Sequence, residues 1–432
     1  MCNGTIMDKL ISFSIPLMLS GILQLMFNAV DIVVVGRFSG SQALAAVGST
    51  TALINVFTNL FIGISLGANV LAARYYAAGK TKEMSETVHT AIALALVSGV
   101  AMAVIGVVFA RGALEIMGTP DDVIAKSTLY MRIYFCGMPF FMMYNYGAAI
   151  LRAVGDTKRP LIFLIVSGVI NAVLNLFLVI GFHLDVAGVG IATVISQLVS
   201  CILVLRCLHH TESSYQLHLA KLRIRSVYLK QIFEVGVPAG IQSTVINISN
   251  AMLQSSVNSF GSIAMAGYTA ANNIFGFLYV SVNSFTQACM SFTSQNYGVK
   301  KLKRMDRVLI DCMILSVVVT LILGSSVYIF GPELLHIYSN QADVIKYGME
   351  IFSYTTVTYF LCGLMDLFPG ALRGMGYSTV PMILSIIGTV GVRIIWIYGL
   401  FPSHRSLTFL FLSYPVSWIA TIIMQVICFW FV

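Results

Sequence analysis

The sequence predicts an all-α polytopic membrane protein, with twelve transmembrane helices in two six-helix bundles related by a parallel pseudo-twofold repeat. Three observations carry that expectation: the composition, the spacing of apolar runs and an internal repeat. Of 432 residues, 58% are hydrophobic and 10% charged, against about 45–50% and 25% in soluble domains. That is too little charge to cover the core of a soluble enzyme of this size, and a disordered chain needs the opposite composition. The mean hydropathy is +0.89. A hydrocarbon layer about 30 Å thick takes about 20 residues per spanning helix, so the length accommodates on the order of a dozen spans joined by short loops.

Apolar runs, read against charges and Gly/Pro punctuation, place the spans near residues 10–36, 46–78, 87–110, 122–151, 160–183, 186–207, 232–257, 263–296, 308–330, 343–372, 379–400 and 407–431. The first run, Leu10 to Val35, is too long and, at its end, too polar for a cleaved signal peptide, so it is expected to remain as span 1. Even-numbered connections carry Lys80 and Lys82, then Lys158 and Arg159, then Arg206, Lys221, Arg223, Arg225 and Lys230, then Lys300, Lys301, Lys303, Arg304 and Arg307. Odd-numbered ones are nearly bare. By the positive-inside rule, a multi-pass protein of the cell (inner) membrane with both termini cytoplasmic is expected. The net charge of +8 and pI near 9.0 then set orientation, and no nucleic-acid partner is expected. The polar stretch His209 to Lys230 reads as a linker with a surface helix. It divides the chain into residues 1–207, a cytoplasmic linker 208–231 and residues 232–432. The eight cysteines lie mostly inside apolar runs, without zinc or redox spacing, and read as buried thiols.

Self-comparison reveals the repeat. Leu151-Arg152-Ala153-Val154-Gly155, followed by Pro160, recurs as Leu372-Arg373-Gly374-Met375-Gly376 with Pro381, a constant shift of 221 residues. The same shift maps Asp122-Val123-Ile124 onto Asp343-Val344-Ile345, Gly40-Ser41 onto Gly261-Ser262, Ala43 onto Ala264 and Tyr76 onto Tyr297, and Pro16 and Pro238 agree within one residue. Six spans per half is an even number, so both halves enter the membrane from the same side. Transporters built this way place their binding site between the halves and expose it alternately by rocking. A channel needs no such duplication.

Asp31 in span 1 and Asp366 in span 10 are the carboxylates deepest in the spans. A lone charge there is expensive, so each should face a cavity and pair, bind a cation or hold a proton. Desolvation favours the neutral form of a carboxyl, which suits such a group to taking up and releasing protons. The competing reading is a structural acid satisfied by hydroxyls and amides. The repeat counterpart of Asp31, near Met252 and Leu253, is apolar, so the fold does not need an acid there. The counterpart of Asp366 is Asn145, which leaves both readings of Asp366 open. Span 5 carries Asn171 and Asn175 one turn apart on one face. Span 6 opens Gly188-Val189-Gly190-Ile191-Ala192-Thr193, small residues that let backbones approach and leave Thr193 able to face inward. Asp31, Asn171, Asn175 and Thr193 together can supply the oxygen cage of a hard cation such as sodium; interhelical hydrogen bonding accounts for the same residues equally well. Span 7 is rich in amides, with Gln242, Asn247, Asn250 and Gln254, and with Asn28 in span 1 these fit the wall of a water-filled cavity. Met142 and Met143, among the aromatics of Met138 to Tyr144, suit an adaptable binding wall, although plain packing also uses such residues. No zinc spacing, nucleotide-binding loop or nucleophile triad appears.

With these residues in place, the chain resembles the multidrug and toxic compound extrusion (MATE) family of secondary antiporters over nearly its whole length. Pro16, Asp31, Val35-Gly36, Gly40, Ala43-Leu44-Ala45-Ala46-Val47-Gly48, Leu71-Ala72-Ala73-Arg74, both Leu-Arg motifs and the prolines after them stand in order as in that family. The resemblance implies an antiporter, not an enzyme, that exports organic, often cationic, compounds against inflow of protons or sodium. It implies no cofactor beyond that coupling ion, a small organic substrate, a lipid bilayer and a functional monomer. It assigns Asp31, Asn171 and Thr193 to the cation site and gives Gln24 a site position as well. Asn175 is a departure, since many relatives carry a second aspartate there, and Ile246 replaces a glutamate that some members hold in span 7. Asp366 lies about a turn closer to Leu372-Arg373 than the corresponding acid of the family. The runner-up is a flippase of the same superfamily for lipid-linked saccharides, whose pyrophosphate needs several inward cations; only Arg132 and Arg393 stand as candidates. An integral-membrane enzyme is the remote alternative, and none of the seven histidines sits beside an intramembrane acid in sequence.

Overall fold

Lipid offers no hydrogen bonds, so a chain this apolar must satisfy its backbone within each span, and helices do so. The computed structural model describes residues 1–431, and every regular element among them is helical. The first half contains α1 (Ile6–Phe38), α2 (Ser41–Ala77), α3 (Thr81–Ile116), α4 (Asp121–Cys136), α5 (Met138–Ala153), α6 (Lys158–Asn175) and α7 (Asp185–His209). The second contains α8 (Ser226–Asn258), α9 (Ser262–Gly298), α10 (Leu302–Ile329), α11 (Gly331–His336), α12 (Ala342–Thr355), α13 (Tyr359–Met375), α14 (Thr379–Ser385), α15 (Val392–Ile395), α16 (Leu407–Phe411) and α17 (Ser413–Phe431).

Among the described residues, eight helical stretches are long and apolar enough to cross a membrane, and α12 with α13, bent by 53°, makes a ninth. The other three of the twelve spans are α8 and α9, as long but rich in amides, and the interrupted pair α4–α5. The α4–α5 break falls at Gly137, just before Pro139, which has no N–H to donate. The Gly-Ser pair recurs for a backbone reason: Gly40 and Gly261, between the first two helices of each half, adopt φ of 85° and 103°, open to glycine and strained for other residues. Wide π-helical turns interrupt the fifth span at Leu176–Gly181 and the eleventh at Ile386–Gly391 and Trp396–Leu400.

The chain forms two compact units, Leu19–Gly240 and Met1–Met18 with Ile241–Val432. In the first, the start of α8 packs against α2 with no side chains between them. A Cβ on Gly63 would lie 2.3 Å from Gly240 Cα, and one on Gly67 would lie 2.1 Å from Ile232 O. Small residues at such a seam allow the close van der Waals contact that holds helices together in lipid. In the second unit, Leu10, Phe13 and Leu17 of α1 join Phe285, Phe292 and Leu367 in one core, with Phe13 and Phe292 edge to face at 5.5 Å. Lys301 Nζ donates to Asn3 Oδ1 at 2.7 Å and Arg304 Nη2 to Gly4 O at 2.8 Å, tying the N-terminal residues to the same unit. Val97, Val100, Val104 and Val108 line an exposed apolar face of α3, as expected of a surface in contact with hydrocarbon.

The linker differs from expectation. Instead of a surface helix it is irregular, with a single 3-10 turn at Leu219–Lys221. Its polar backbone is satisfied by α3: the His218 N–H donates to His89 Nε2 at 3.1 Å, the Arg225 N–H to Thr90 Oγ1 at 3.3 Å, and the Thr90 hydroxyl to Arg223 O at 3.3 Å. Leu217 is buried in the first unit's core. With these donors engaged by α3 and Leu217 buried in the core, the segment does not need helical bonds of its own. Of the cysteines, Cys201, Cys289, Cys312 and Cys362 are buried as expected, whereas Cys136 is exposed and Cys2, Cys207 and Cys428 are half-buried.

Candidate functional site

The site is built where α1 meets α6 inside the first unit. Gln24, Asn28 and Asp31 follow one another at four and three residues and so share a face of α1. Gln24 and Asn28 are exposed and Asp31 is half-buried. On α6 the matching residues are Asn171, 5% exposed, and Asn175, 0% exposed. Gly168, a turn before Asn171, sets the fit. A Cβ there would lie 1.8 Å from the Phe27 ring, so the missing side chain admits that ring and lets α1 settle against α6. The next turn of α1 then brings Asp31 to Asn175.

Asn175 Nδ2 donates to Asp31 Oδ1 and also to Asn171 Oδ1, the latter at 3.2 Å. The amide oxygen of Asn175 is buried and has no hydrogen-bond partner among the described residues. Asp31 is thus held by a neutral donor, with a second carboxylate oxygen and an amide oxygen left over. Such a set can hold one small cation by its oxygens, or one proton on the carboxyl. Tyr130 and Tyr134 of α4, one turn apart with rings 6.2 Å from each other, lie within reach of the Asp31 charge. The sequence reading missed both. The available signal was two hydroxyl-bearing aromatics at helical spacing in an apolar span.

Thr193 is not joined to this trio by a hydrogen bond; its hydroxyl donates to Val189 O of its own helix at 2.9 Å. Met142, at 0% exposure, belongs to the packed core of the first unit, and Met143 lies at its margin. In the second unit, Asn250 is exposed and accepts a hydrogen bond from Arg393 Nη1 at 2.8 Å, while Gln254 Nε2 donates to Asn258 Oδ1 at 2.9 Å. Asp366 is half-buried within reach of the charge of Arg373 but forms no ion pair with it among the described residues; Arg373 Nη2 donates instead to Gln242 Oε1. No group of three His, Cys, Asp or Glu side chains that could hold a metal ion occurs among the described residues.

The profile of the MatE family matches residues 16–177 and 238–398, one stretch in each half. The chain belongs to the MATE family. Among curated MATE relatives, the probable multidrug resistance protein YoeA of Bacillus subtilis (strain 168) is 30% identical over 389 residues, covering 88% of this chain and 84% of that protein. The multidrug export protein MepA of Staphylococcus aureus (strain MW2) is 21% identical, covering 91% and 88%. The fold matches that of a multidrug resistance MATE family transporter solved in an outward-facing conformation, with a TM-score of 0.89 at 20% identity over 99% of this chain and 95% of that one. A mutant of the Vibrio cholerae MATE transporter VcmN superposes with a TM-score of 0.90 at 19% identity over 98% and 95%. The protein is therefore a multi-pass membrane transporter with the twelve-helix MATE fold.

Proposed function

We propose that this MATE protein is a cation-coupled antiporter that exports organic, drug-like cations by alternating access, with Asp31 as the coupling group. The observation that carries the reading is the bond from Asn175 to Asp31, which places the single acid of span 1 in a pocket of amide groups with no counter-cation bonded to it. The relatives named for multidrug resistance and export support the substrate class. Gln24 and Asn28, on the same face as Asp31, extend a polar track along α1 that a cationic compound and the coupling ion can both use. Coupling then follows if occupancy by ion and by compound exclude each other, since binding free energies are reciprocal.

Protons are the favoured coupling ion. A sodium ion in a low-dielectric site needs formal negative charge around it, and Asn175 leaves this site with one acid. The basic even-numbered loops support a cytoplasmic placement of both termini. The protein needs no cofactor beyond the ion and acts as a monomer on a small organic substrate. The test is efflux of a fluorescent organic cation from vesicles with pH and sodium gradients imposed independently. Efflux that follows the pH gradient is the expected result, and efflux that follows sodium alone reassigns the ion. Activity indifferent to both gradients removes the protein from the antiporters.

A further inference from the structure

The second unit contains a charge that the coupling mechanism does not use. Arg393, in the eleventh span, is 3% exposed and has no carboxylate partner among the ion pairs of the described residues. Its guanidinium is held only by neutral groups. Nε donates to Ser417 Oγ at 3.3 Å, and Nη1 donates to Asn250 Oδ1 at 2.8 Å and Ser249 Oγ at 3.5 Å. The guanidinium carbon stands 4.8 Å from the centre of the Tyr414 ring, whose hydroxyl is fixed by that of Tyr268 at 2.7 Å. Nη2 makes no hydrogen bond among the described residues. Arginine remains charged in proteins and presents a planar fork of donors matched to carboxylate. A buried cation without an anion is unfavourable, so a guanidinium kept this way marks a place for one.

Two further observations show that the place is built and reachable. Asn247, Asn250, Gln254 and Asn258 fall on one face of α8, where Asn247, Asn250 and Asn258 are exposed. A run of amides exposed on a spanning helix faces water, because hydrocarbon cannot satisfy them. Asn250 belongs to that wet face and also holds Arg393, so the guanidinium lies one side chain away from it. The repeat supplies the second observation. The 221-residue shift carries Asn171 to Val392, beside Arg393, and carries Asn28, Thr193 and Ser196 to Ser249, Tyr414 and Ser417. Two positions beside the guanidinium, Ser249 and Val392, thus correspond in the second half to Asn28 and Asn171 of the first, while Arg393 itself stands where the first half has Ala172.

We propose that Arg393, with Asn250 and Tyr414, is an anion site that takes a carboxylate. The inference rests on the export reading for its substrate class, but the site itself is testable by binding alone. The occupant is either the carboxylate of the exported compound or a free carboxylate from solution.

The probe is a matched pair of rhodamine dyes, one with its carboxylate free and one as the methyl ester, titrated against the purified full-length protein in detergent without any gradient. Wild type is expected to prefer the free carboxylate. R393Q should cut that preference about tenfold, and R393K, which keeps the charge but loses the fork, should cut it less. A preference unchanged in an R393Q protein of wild-type thermal unfolding overturns the site. If R393Q does not fold, competition on wild type decides. Acetate that weakens the carboxylate dye and spares the ester supports the site, and acetate that affects neither or both alike overturns it. Selective displacement already at about millimolar acetate identifies a free carboxylate as the occupant; selective displacement only at roughly a hundredfold more acetate assigns the site to the exported compound. Should wild type bind the pair selectively yet export neither dye under a gradient, the export reading fails and the anion site stands.

Discussion

Asp31 is held by one amide donor and not by a counter-charge, and that difference decides what its neighbours should do when altered. Removing the Asn175 amide takes away a bond to a charged group worth about 1.5–3 kcal/mol. With proton coupling, Asn175→Ala should move the pH profile of efflux toward higher pH, because the ionised carboxylate loses its donor. With sodium coupling, the same substitution should weaken sodium-driven efflux and recover at saturating sodium. The profile measured at fixed and at saturating sodium separates the two. At this scale the sequence is informative wherever a polar group interrupts an apolar span, which is why Asp31, Asn171 and Asn175 stand out in it. It is silent on Tyr130 and Tyr134, because their placement depends on which helix faces meet, whereas plain packing, one of the two readings of Met142, is what its burial in the core shows. Arg393 was visible as an intramembrane cation, but its freedom from any acid was not.

Among the elements, the positioning of α1 depends on an absence. Gly168→Ala would press a methyl into the Phe27 ring at 1.8 Å, and overpacking of this kind costs about 1–3 kcal/mol. Thermal unfolding in detergent should fall accordingly, and efflux with it, since α1 can no longer seat Asp31 on Asn175. Phe27→Leu combined with Gly168→Ala should recover part of both losses; additive losses in the double variant would contradict the contact. The linker offers a second test. Thr90→Val removes the hydroxyl that accepts from the Arg225 N–H and donates to Arg223 O, about 1 kcal/mol for such a bond. Trypsin should then cut at Arg223 or Arg225 faster than in wild type, and an unchanged rate would show that the linker is not held by α3. Polarity alone suggested a surface helix there, because a hydropathy profile does not register that His89 and Thr90 provide partners for an irregular backbone.

At the scale of the whole molecule, the twelve spans and the two-half repeat were legible because both depend on periodicity and a constant offset, which survive without knowledge of contacts. The extent of each compact unit was not. Leu10, Phe13 and Leu17 join the second unit's core while the glycines at the start of α8 pack on α2, and both helices read as single spans in sequence. What this assembly does as a transporter turns on one carboxylate. The most direct measurement uses vesicles containing purified wild type or Asp31→Asn, a change that keeps the side chain's shape and removes its charge, with efflux of a fluorescent organic cation followed under an imposed gradient of the coupling ion. Wild-type efflux should rise with the gradient, whereas Asp31→Asn, with unfolding like wild type, should stay at the leak rate of empty vesicles. Gradient-driven efflux by a folded Asp31→Asn protein at the wild-type rate would contradict the account.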